Sequence, residues 1–415
     1  MFRSRQPLLP RRATLGDILD ARGESIDQAL ALFFPAPHSY TGEDVLELHV
    51  HGSPVVVRET LAAVLAAGAR LATPGEFTRR AFLNGKLDLS AAEAVADLVD
   101  SENRSAARAA RARLAGGLLA TVRTQRGRLS VVLEELSGTL DFPDEVPEPP
   151  RARLSADLES IDAQLRALER TWEVGRLVRE GVGVAIVGPP NAGKSSWLNA
   201  LLREDRALVS EIAGTTRDTI EESFALGGLR LRLVDTAGIR AHAGRLEAAG
   251  IARSERALET AHVALVVVDG SVPLDSSADD VLRRTRARPR VVAFNKRDLG
   301  TRGFDARDPE ERDALSVSVL AEDDVARVAG ALDAAIAIDA PDLERAHLAT
   351  ARQADCVIAA RRALTRARET LALGQPVDLI VADLVEASAA LGEISGDAVT
   401  EEILDAVFAR FCIGK

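Results

Sequence analysis

An apolar segment, Val184 to Val187, runs directly into Gly188-Pro189-Pro190-Asn191-Ala192-Gly193-Lys194-Ser195 and then into a helical stretch from Ser196 to Leu202. No other feature constrains the fold as strongly. A Gly-rich turn between a buried strand and a helix start directs backbone N–H groups at one point, where a phosphate can sit at the helix N-terminus. Lys194 is placed to reach the β- and γ-phosphates, and Ser195 to ligate magnesium. Further apolar strands, Leu229 to Val234, Val263 to Val268 and Val291 to Asn295, alternate with helical segments. Strands that read as continuous apolar runs imply a parallel sheet covered on both faces.

Lysine usage points the same way. Of 52 basic residues only Lys86, Lys194, Lys296 and Lys415 are lysine. In such a chain a remaining lysine marks a place where a compact point charge works and a planar guanidinium does not. Lys194 lies in the phosphate loop, and Lys296 lies in Asn295-Lys296-Arg297-Asp298. The carboxylate of Asp298 can accept the two N–H donors of a guanine edge, which adenine lacks, so GTP is expected rather than ATP. Asp235-Thr236-Ala237-Gly238 follows the second strand, as a magnesium-side acidic loop should. Gly214-Thr215-Thr216-Arg217-Asp218 lies between the two, where a threonine can close on the metal. A base-side loop is expected within Leu315 to Leu320, at Ser318-Val319. Ras-type enzymes orient the attacking water with a glutamine just after the acidic loop. Here Ile239 occupies that place, so another group must do so. Glu247 is a candidate, with Glu255 and Glu259 on the same stretch. No cis arginine finger is evident; Arg217 is a candidate by position only.

The chain of 415 residues is long enough for two or three domains, with 47% hydrophobic but only 3% aromatic residues, hence aliphatic cores. Residues 28–100 read as a mixed α/β unit: strands Ala29 to Phe34 and Val45 to Val50, helices Pro54 to Ala67 and Leu89 to Asp100, and a loop-rich stretch from Pro74 to Asp88. A long helix is predicted over 102–140, with Leu114, Leu118, Val122, Leu129, Val132 and Leu136 on one stripe. Pro143 to Pro150 ends it, and a second helix runs from Leu154 to Glu180. Helices return after residue 335. The expected architecture is α/β plus all-α: a G domain (181–334) inserted into a helical domain (102–180 and 335–415), behind an N-terminal α+β domain (1–101). A net charge of -11 argues against a generally basic, nucleic-acid-coating surface and leaves local patches such as Arg104, Arg108, Arg111 and Arg113. Cys356 and Cys412 form no metal spacing, and a cytoplasmic location without membrane span or signal peptide is expected.

The outer motifs resemble one family, the MnmE/TrmE-type tRNA-modification GTPases. The likeness runs from about residue 14 to the end. It is carried by Pro37-His38-Ser39-Tyr40-Thr41-Gly42-Glu43-Asp44, Pro74-Gly75-Glu76-Phe77, Ala81 to Asp88, Phe142-Pro143-Asp144-Glu145, the G motifs above and Phe411-Cys412-Ile413-Gly414-Lys415. Met1 to Arg12 does not match the family's Gly-rich opening strand segment. The resemblance implies a homodimer with an N-terminal folate-binding domain. With a MnmG/GidA-type flavoprotein carrying FAD, it implies addition of an aminomethyl or carboxymethylaminomethyl group to C5 of the wobble uridine of certain tRNAs. The one-carbon unit would come from 5-formyl- or methylene-tetrahydrofolate. It also implies potassium-dependent pairing of G domains, with K+ bound by Asn191, Ser210, Ile212 and Thr215, and Mg2+ by Ser195 and Thr216. Nucleotide contacts fall on Asn191, Ala192, Gly193, Lys194, Ser195, Ser196, on Ser210, Glu211, Ile212, Ala213, Gly214, Thr215 and Thr216, and on Asp235, Thr236, Ala237, Gly238, Asn295, Lys296 and Asp298. Glu247 matches the catalytic glutamate, Cys412 a cysteine with a role in the modification, and Glu47, Lys86 and Lys415 the folate site. A folate site that joins Lys86 and Lys415 requires the C-terminus to return to the N-terminal domain.

The rival reading is a ribosome-assembly or regulatory GTPase acting as a nucleotide-controlled binding module. That class usually carries a basic RNA-binding domain with a Gly-x-x-Gly loop, which the sequence lacks outside the G domain. His49 and His51 would share a strand face but have no further ligand in view, so they are expected to be structural.

Overall fold

The computed structural model describes residues 1–101, 103–206, 223–233, 257–336, 348–397 and 399–414. The chain divides into two compact units, one of residues 1–100, 113–167 and 352–415, the other of 101–112 and 168–351.

The first unit opens with a four-stranded antiparallel sheet in sequential order, β1 (Phe2–Arg3), β2 (Thr14–Leu19), β3 (Ser25–Phe34) and β4 (Val45–His49). Side chains alternate across it, so Ile18, Ala29 and Ala31 are buried while Leu15 and Leu30, paired in register, lie on the opposite, exposed face. Helix α1 (Pro54–Ala66) starts with a proline in its first turn, where the missing N–H costs nothing. Two strands, β1 and β2, were not expected from the sequence.

The stretch from Pro74 to Asp88 is not a loop. It contains α2 (Glu76–Leu83). The Glu76 carboxylate accepts the Thr73 N–H at 2.9 Å and binds Arg70 and Arg80 at 2.6 and 2.7 Å. Thr73-x-x-Glu76 is the capping-box spacing, which the flanking Pro74-Gly75 hid. Asp88 then caps α3 (Leu89–Val99) by accepting the Ala91 N–H at 2.9 Å.

The long helix expected over 102–140 is two helices, α4 (Arg104–Leu114) and α5 (Gly117–Asp141). Gly116 between them takes a left-handed φ of 86°, which a side chain would resist. In α5 the predicted stripe is buried at Leu118, Val122, Leu129, Val132 and Leu136. The next helix, α6, begins at Arg151 and ends at Glu180.

The chain's end packs on α2 and α3. Leu404, Phe408 and Phe411 form a cluster with Leu89 and Ala92. Pro74 makes an isolated bridge to Ile413, and the Gly75 N–H donates to the Cys412 carbonyl at 3.4 Å. Gly75 has φ +68°, and a Cβ there would press on Phe408. The helix Ala351–Ala372 is tied to α3 by a buried pair: Arg352 donates to both Glu93 oxygens at 3.0 and 2.9 Å, and Gln353 to one of them at 2.6 Å.

The second unit holds a six-stranded sheet in the order β10-β9-β8-β5-β7-β6. Its strands are β5 (Val182–Val187), β6 (Ser223–Leu226), β7 (Leu229–Leu233), β8 (Val263–Asp269), β9 (Arg290–Asn295) and β10 (Leu315–Ser316). All pairings are parallel except the β6–β7 hairpin. The sheet is covered on both faces. Val184, Ile186, Leu265 and Val267 face one core with Trp197 and Leu201 of α7 (Lys194–Arg206). Ala185, Val187, Val266 and Phe294 face another with Ala278 and Leu282 of α8 (Ser276–Thr285). This two-sided burial explains why these strands are legible as unbroken apolar runs.

Candidate nucleotide site

The phosphate loop leaves the C-terminal end of β5, a central strand of the sheet. Gly188 has φ +153°, and any Cβ there would collide with the Val267 carbonyl of β8. Gly193 has φ +103°, and its Cβ would strike the Asn295 side-chain amide. Only glycine lets the loop pass so close to β8 and β9 and still turn into α7. Asn191 takes the left-handed conformation at the loop's exposed rim, φ 60°. Lys194 folds back over the loop, donating to the Gly188 and Pro189 carbonyls at 2.8 and 2.7 Å. Burial lowers its pKa, so a bound anion would restore the charge that burial opposes. The helix N-terminus and the ammonium together form an anion cradle.

Asn295 joins this cradle to the base side. Its Nδ2 donates to the Ala192 carbonyl at 2.9 Å, and its Oδ1 accepts the Val319 N–H at 3.2 Å. Asn295 is itself 1% exposed. Lys296, with φ 64°, ion-pairs with Asp269 at 2.6 Å, and Ser271 donates to the same carboxylate. Burial pushes the Asp269 pKa up, but these hydrogen bonds outweigh it and hold the group below its ordinary value. Asp298 accepts from the Ser318 hydroxyl at 2.6 Å. Asp324, 2% exposed, accepts the Ser318 N–H and pairs with Arg297, both at 2.8 Å. The base-side loop at Ser318-Val319 is therefore braced from the guanine loop and from α9 (Glu322–Ile336).

Two contributors escape the sequence motifs, Asp269 and Asp324. A signal for Asp269 exists: it ends an apolar strand as Asn295 does, and the two are register partners. Asp324 carries no such mark beyond its place in an acidic first helical turn.

Ser210 to Thr216, Arg217, Asp235 to Gly238, Ile239, Glu247 and Lys415 lie outside the described residues. Of the expected folate residues, Lys86 donates to the Pro37 carbonyl at 3.1 Å. Glu47 stands on β4 opposite Leu32, its carboxylate 3.1 Å from His49. His51 is paired with Asp27 at 2.8 Å, so both histidines have carboxylate partners. No group of three metal-ligating side chains occurs among the described residues. Nor is any described helix long and apolar enough to cross a membrane.

The two thiols differ. Cys412 is exposed beside Gly75, whereas Cys356 is buried and its pKa is pushed up to about 11 by burial. Thiolate is the reacting form. A maleimide titration of the native protein near neutral pH is expected to modify one cysteine quickly, Cys412 by mass, and the second only after unfolding. Equal rates for both would contradict the burial of Cys356.

A parallel sheet with a phosphate loop after a central strand and a guanine-type loop two strands away defines a P-loop GTPase. Comparison with known proteins narrows the class. Residues 89–412 match the family model described as MnmE helical domain, and residues 1–86 match that described as GTP-binding protein TrmE N-terminus. A tRNA modification GTPase MnmE of Akkermansia muciniphila is 43% identical over 98% of this chain and 90% of its own length. The proteins of that name from Heliobacterium modesticaldum (43% identity, 94% of this chain and 86% of the relative) and Symbiobacterium thermophilum (42%, 100% and 93%) are similar. The chain belongs to the MnmE/TrmE family.

Proposed function

We propose that this protein hydrolyses GTP in the service of tRNA modification. Together with a MnmG/GidA-type flavoprotein, it would place a (carboxymethyl)aminomethyl group on C5 of the wobble uridine. The observation that carries the nucleotide part is the Asn295 bridge, which ties the phosphate loop, the guanine loop and the base-side loop into one unit. Relatives at about 40% identity along nearly the whole chain, named for tRNA modification, support the rest.

In this reading Lys194 and the first turn of α7 hold the phosphates, and Asp298 with Ser318 holds the guanine edge. Glu247 orients the attacking water. Ser195, partly buried in the first helical turn, offers a hard hydroxyl oxygen suited to magnesium, with Thr216 completing the pair. Asn191 is exposed at the rim of the loop; in this reading it would bind potassium at a second G domain, with Ser210, Ile212 and Thr215 as the other ligands. A bound potassium ion would supply positive charge for the developing phosphate oxygens. Residues 1–101 form the folate-binding domain, 102–180 and 335–415 the helical domain, and 181–334 the G domain of a homodimer. Glu47, Lys86 and Lys415 would bind the tetrahydrofolate derivative. That reading gains support from the packing of the chain end on α2 and α3. Cys412, exposed at that junction, would serve the modification chemistry.

The test has two readouts. GTP hydrolysis is expected to be at least about tenfold faster in potassium than in sodium, the range of one added electrostatic stabiliser; equal rates would remove the cation-dependent dimer. Nucleoside analysis of tRNA from cells lacking the protein should show loss of the C5 modification; unchanged content would remove the pathway.

A further inference from the structure

The turn after α5, Phe142-Pro143-Asp144-Glu145, is one of the motifs that mark the family, yet no step of the proposed reaction uses it. It presents an aromatic ring to solvent in a chain where aromatic residues are scarce. Phe142 is 57% exposed, the most exposed of the eleven phenylalanines. Its backbone is fixed. The Phe142 N–H donates to the Gly138 carbonyl at 2.9 Å, and the Phe142 carbonyl accepts the N–H groups of Glu145 and Val146 at 3.1 and 2.9 Å. The Val146 side chain lies over Gly138 of α5. Pro143, Pro147, Pro149 and Pro150 hold φ along the rest of the segment. A ring displayed on a preset turn loses little freedom when a partner covers it.

The ring belongs to a larger apolar end of the helices in this unit. The helix Val377–Ser395 packs along α5, with the Arg126 guanidinium against Gly392 and paired with Asp397. From that tie α5 runs on to Leu140 and its neighbour runs back to Leu379, about 20 Å each at 1.5 Å per residue. Arg151, which opens α6, donates to the Leu371 carbonyl at 3.2 Å and so brings the loop 373–376 to the same end. Leu140, Phe142, Leu373 and Leu379 are all exposed there. The surrounding charge has one sign. From Leu129 to Pro150 there are six acidic residues and no basic one. Arg151 and Arg153, which follow, are engaged by Glu148 at 3.5 Å and Glu135 at 2.7 Å. Asp141, Asp144, Glu145 and Asp378 are exposed and carry no ion pair among the described residues.

We infer that this end of the helices, Leu140, Phe142, Leu373 and Leu379 with the acidic turn around them, docks a protein that offers a cationic face and an apolar recess for the Phe142 ring. In the proposed pathway that protein is the flavoprotein. The inference rests on the proposed role in tRNA modification and adds the place where the second protein meets this chain. Sign decides between occupants. tRNA is a polyanion, and the acidic turn repels it. A second copy would bring the same carboxylates against each other across a two-fold axis. A chain of net charge -11 leaves much of the neutralisation of tRNA phosphates to its partner. A partner that also handles tRNA therefore carries the positive surface this end requires. An aromatic anchor with charges at its rim is the arrangement protein interfaces use.

The test uses the full chain and the purified MnmG/GidA-type flavoprotein, with affinity measured at low and at physiological salt. Phe142→Ala should weaken binding by about tenfold or more at both, as loss of a central aromatic anchor does. D141N/D144N/E145Q should weaken it chiefly at low salt and flatten its salt dependence, because rim charges steer association and are screened. D313N/D355N/E59Q removes the same charge from exposed positions elsewhere and should leave binding unchanged. GTP hydrolysis by the chain alone should be parental in every variant, which also shows that each one folds. Parental flavoprotein affinity in both Phe142→Ala and D141N/D144N/E145Q would overturn the docking surface and leave the tRNA-modification reading standing. An equal loss in the D313N/D355N/E59Q control would overturn it as well. A lower sedimentation mass of Phe142→Ala alone, with flavoprotein binding intact, would make this end a contact between copies instead. Lower tRNA affinity with intact flavoprotein binding would reassign it to RNA. A parent chain that does not bind the flavoprotein at either salt would sink both the surface and the reading it rests on.

Discussion

Replacing Lys194 by alanine should lower GTP hydrolysis by about two to three orders of magnitude, the loss typical when one preorganised charge is removed from a transition state. The ammonium sits within hydrogen-bond distance of the Gly188 and Pro189 carbonyls, on the residue that opens α7. Arginine should not rescue the loss. The guanidinium is a wide planar fork, and the slot between two backbone carbonyls accepts a point donor. Single-turnover hydrolysis by the parent, Lys194→Ala and Lys194→Arg forms decides it. An arginine variant with parental rate would mean that charge alone matters, and that the lysine in an arginine-rich chain is incidental. The pKa of Lys194, lowered by burial, should rise on binding of a triphosphate. Affinity for GTP should therefore weaken as pH climbs through the lowered value of the free protein, because the proton must then be taken up.

Asp298→Asn should exchange one nucleotide for another. The carboxylate is held by the Ser318 hydroxyl at 2.6 Å and so presents its remaining lone pairs in a fixed direction. In the proposed site, two N–H donors of guanine would meet it as charge-assisted bonds. The amide of asparagine would oppose one of them with its own N–H donor, leaving a donor–donor mismatch. Enclosed sites of this kind commonly reject the wrong edge by about 10^4-fold, and a loss of about 10^2 to 10^3 is expected for this partly open loop. Xanthosine triphosphate, which carries an acceptor where guanine has its exocyclic amine, should bind the variant better than GTP does. Competition binding of the two nucleotides to both proteins measures the exchange. A variant that keeps its preference for GTP would remove Asp298 from base recognition. Ser318→Ala should act in the same direction but weakly, since it frees the carboxylate without reversing its polarity.

The phosphate and guanine loops of the candidate nucleotide site are legible in the sequence. The phosphate loop works through its own backbone, and backbone geometry over a few residues is encoded locally, in Gly188, Gly193 and the helix that follows. The guanine loop is legible for the same reason. Buried parallel strands are legible because two-sided burial leaves no polar position to interrupt them. The half-exposed sheet of the first unit is legible only in β3 and β4. β2 carries a glycine and an aspartate among its six residues, and β1 has only two residues, so neither rises above the pattern of a loop. Helix α2 is hidden by Pro74-Gly75, although Thr73 and Glu76 stand at capping-box spacing. The break at Gly116 is masked because the apolar stripe continues across it.

What the sequence determined by itself was chemistry of short range: a Gly-rich loop shaped for phosphate, a carboxylate proposed to read guanine, and a set of outer motifs that mark the family. What the tertiary structure decided was which distant residues serve that chemistry. Asn295 reaches back to Ala192, Asp269 neutralises Lys296, Asp324 braces the base-side loop, and the chain's last helix settles on α2 and α3. The division has one physical cause. Local backbone conformation depends on neighbours in sequence, whereas these contacts depend on strand order and packing, which bring together residues whose own neighbourhoods carry no trace of the partner.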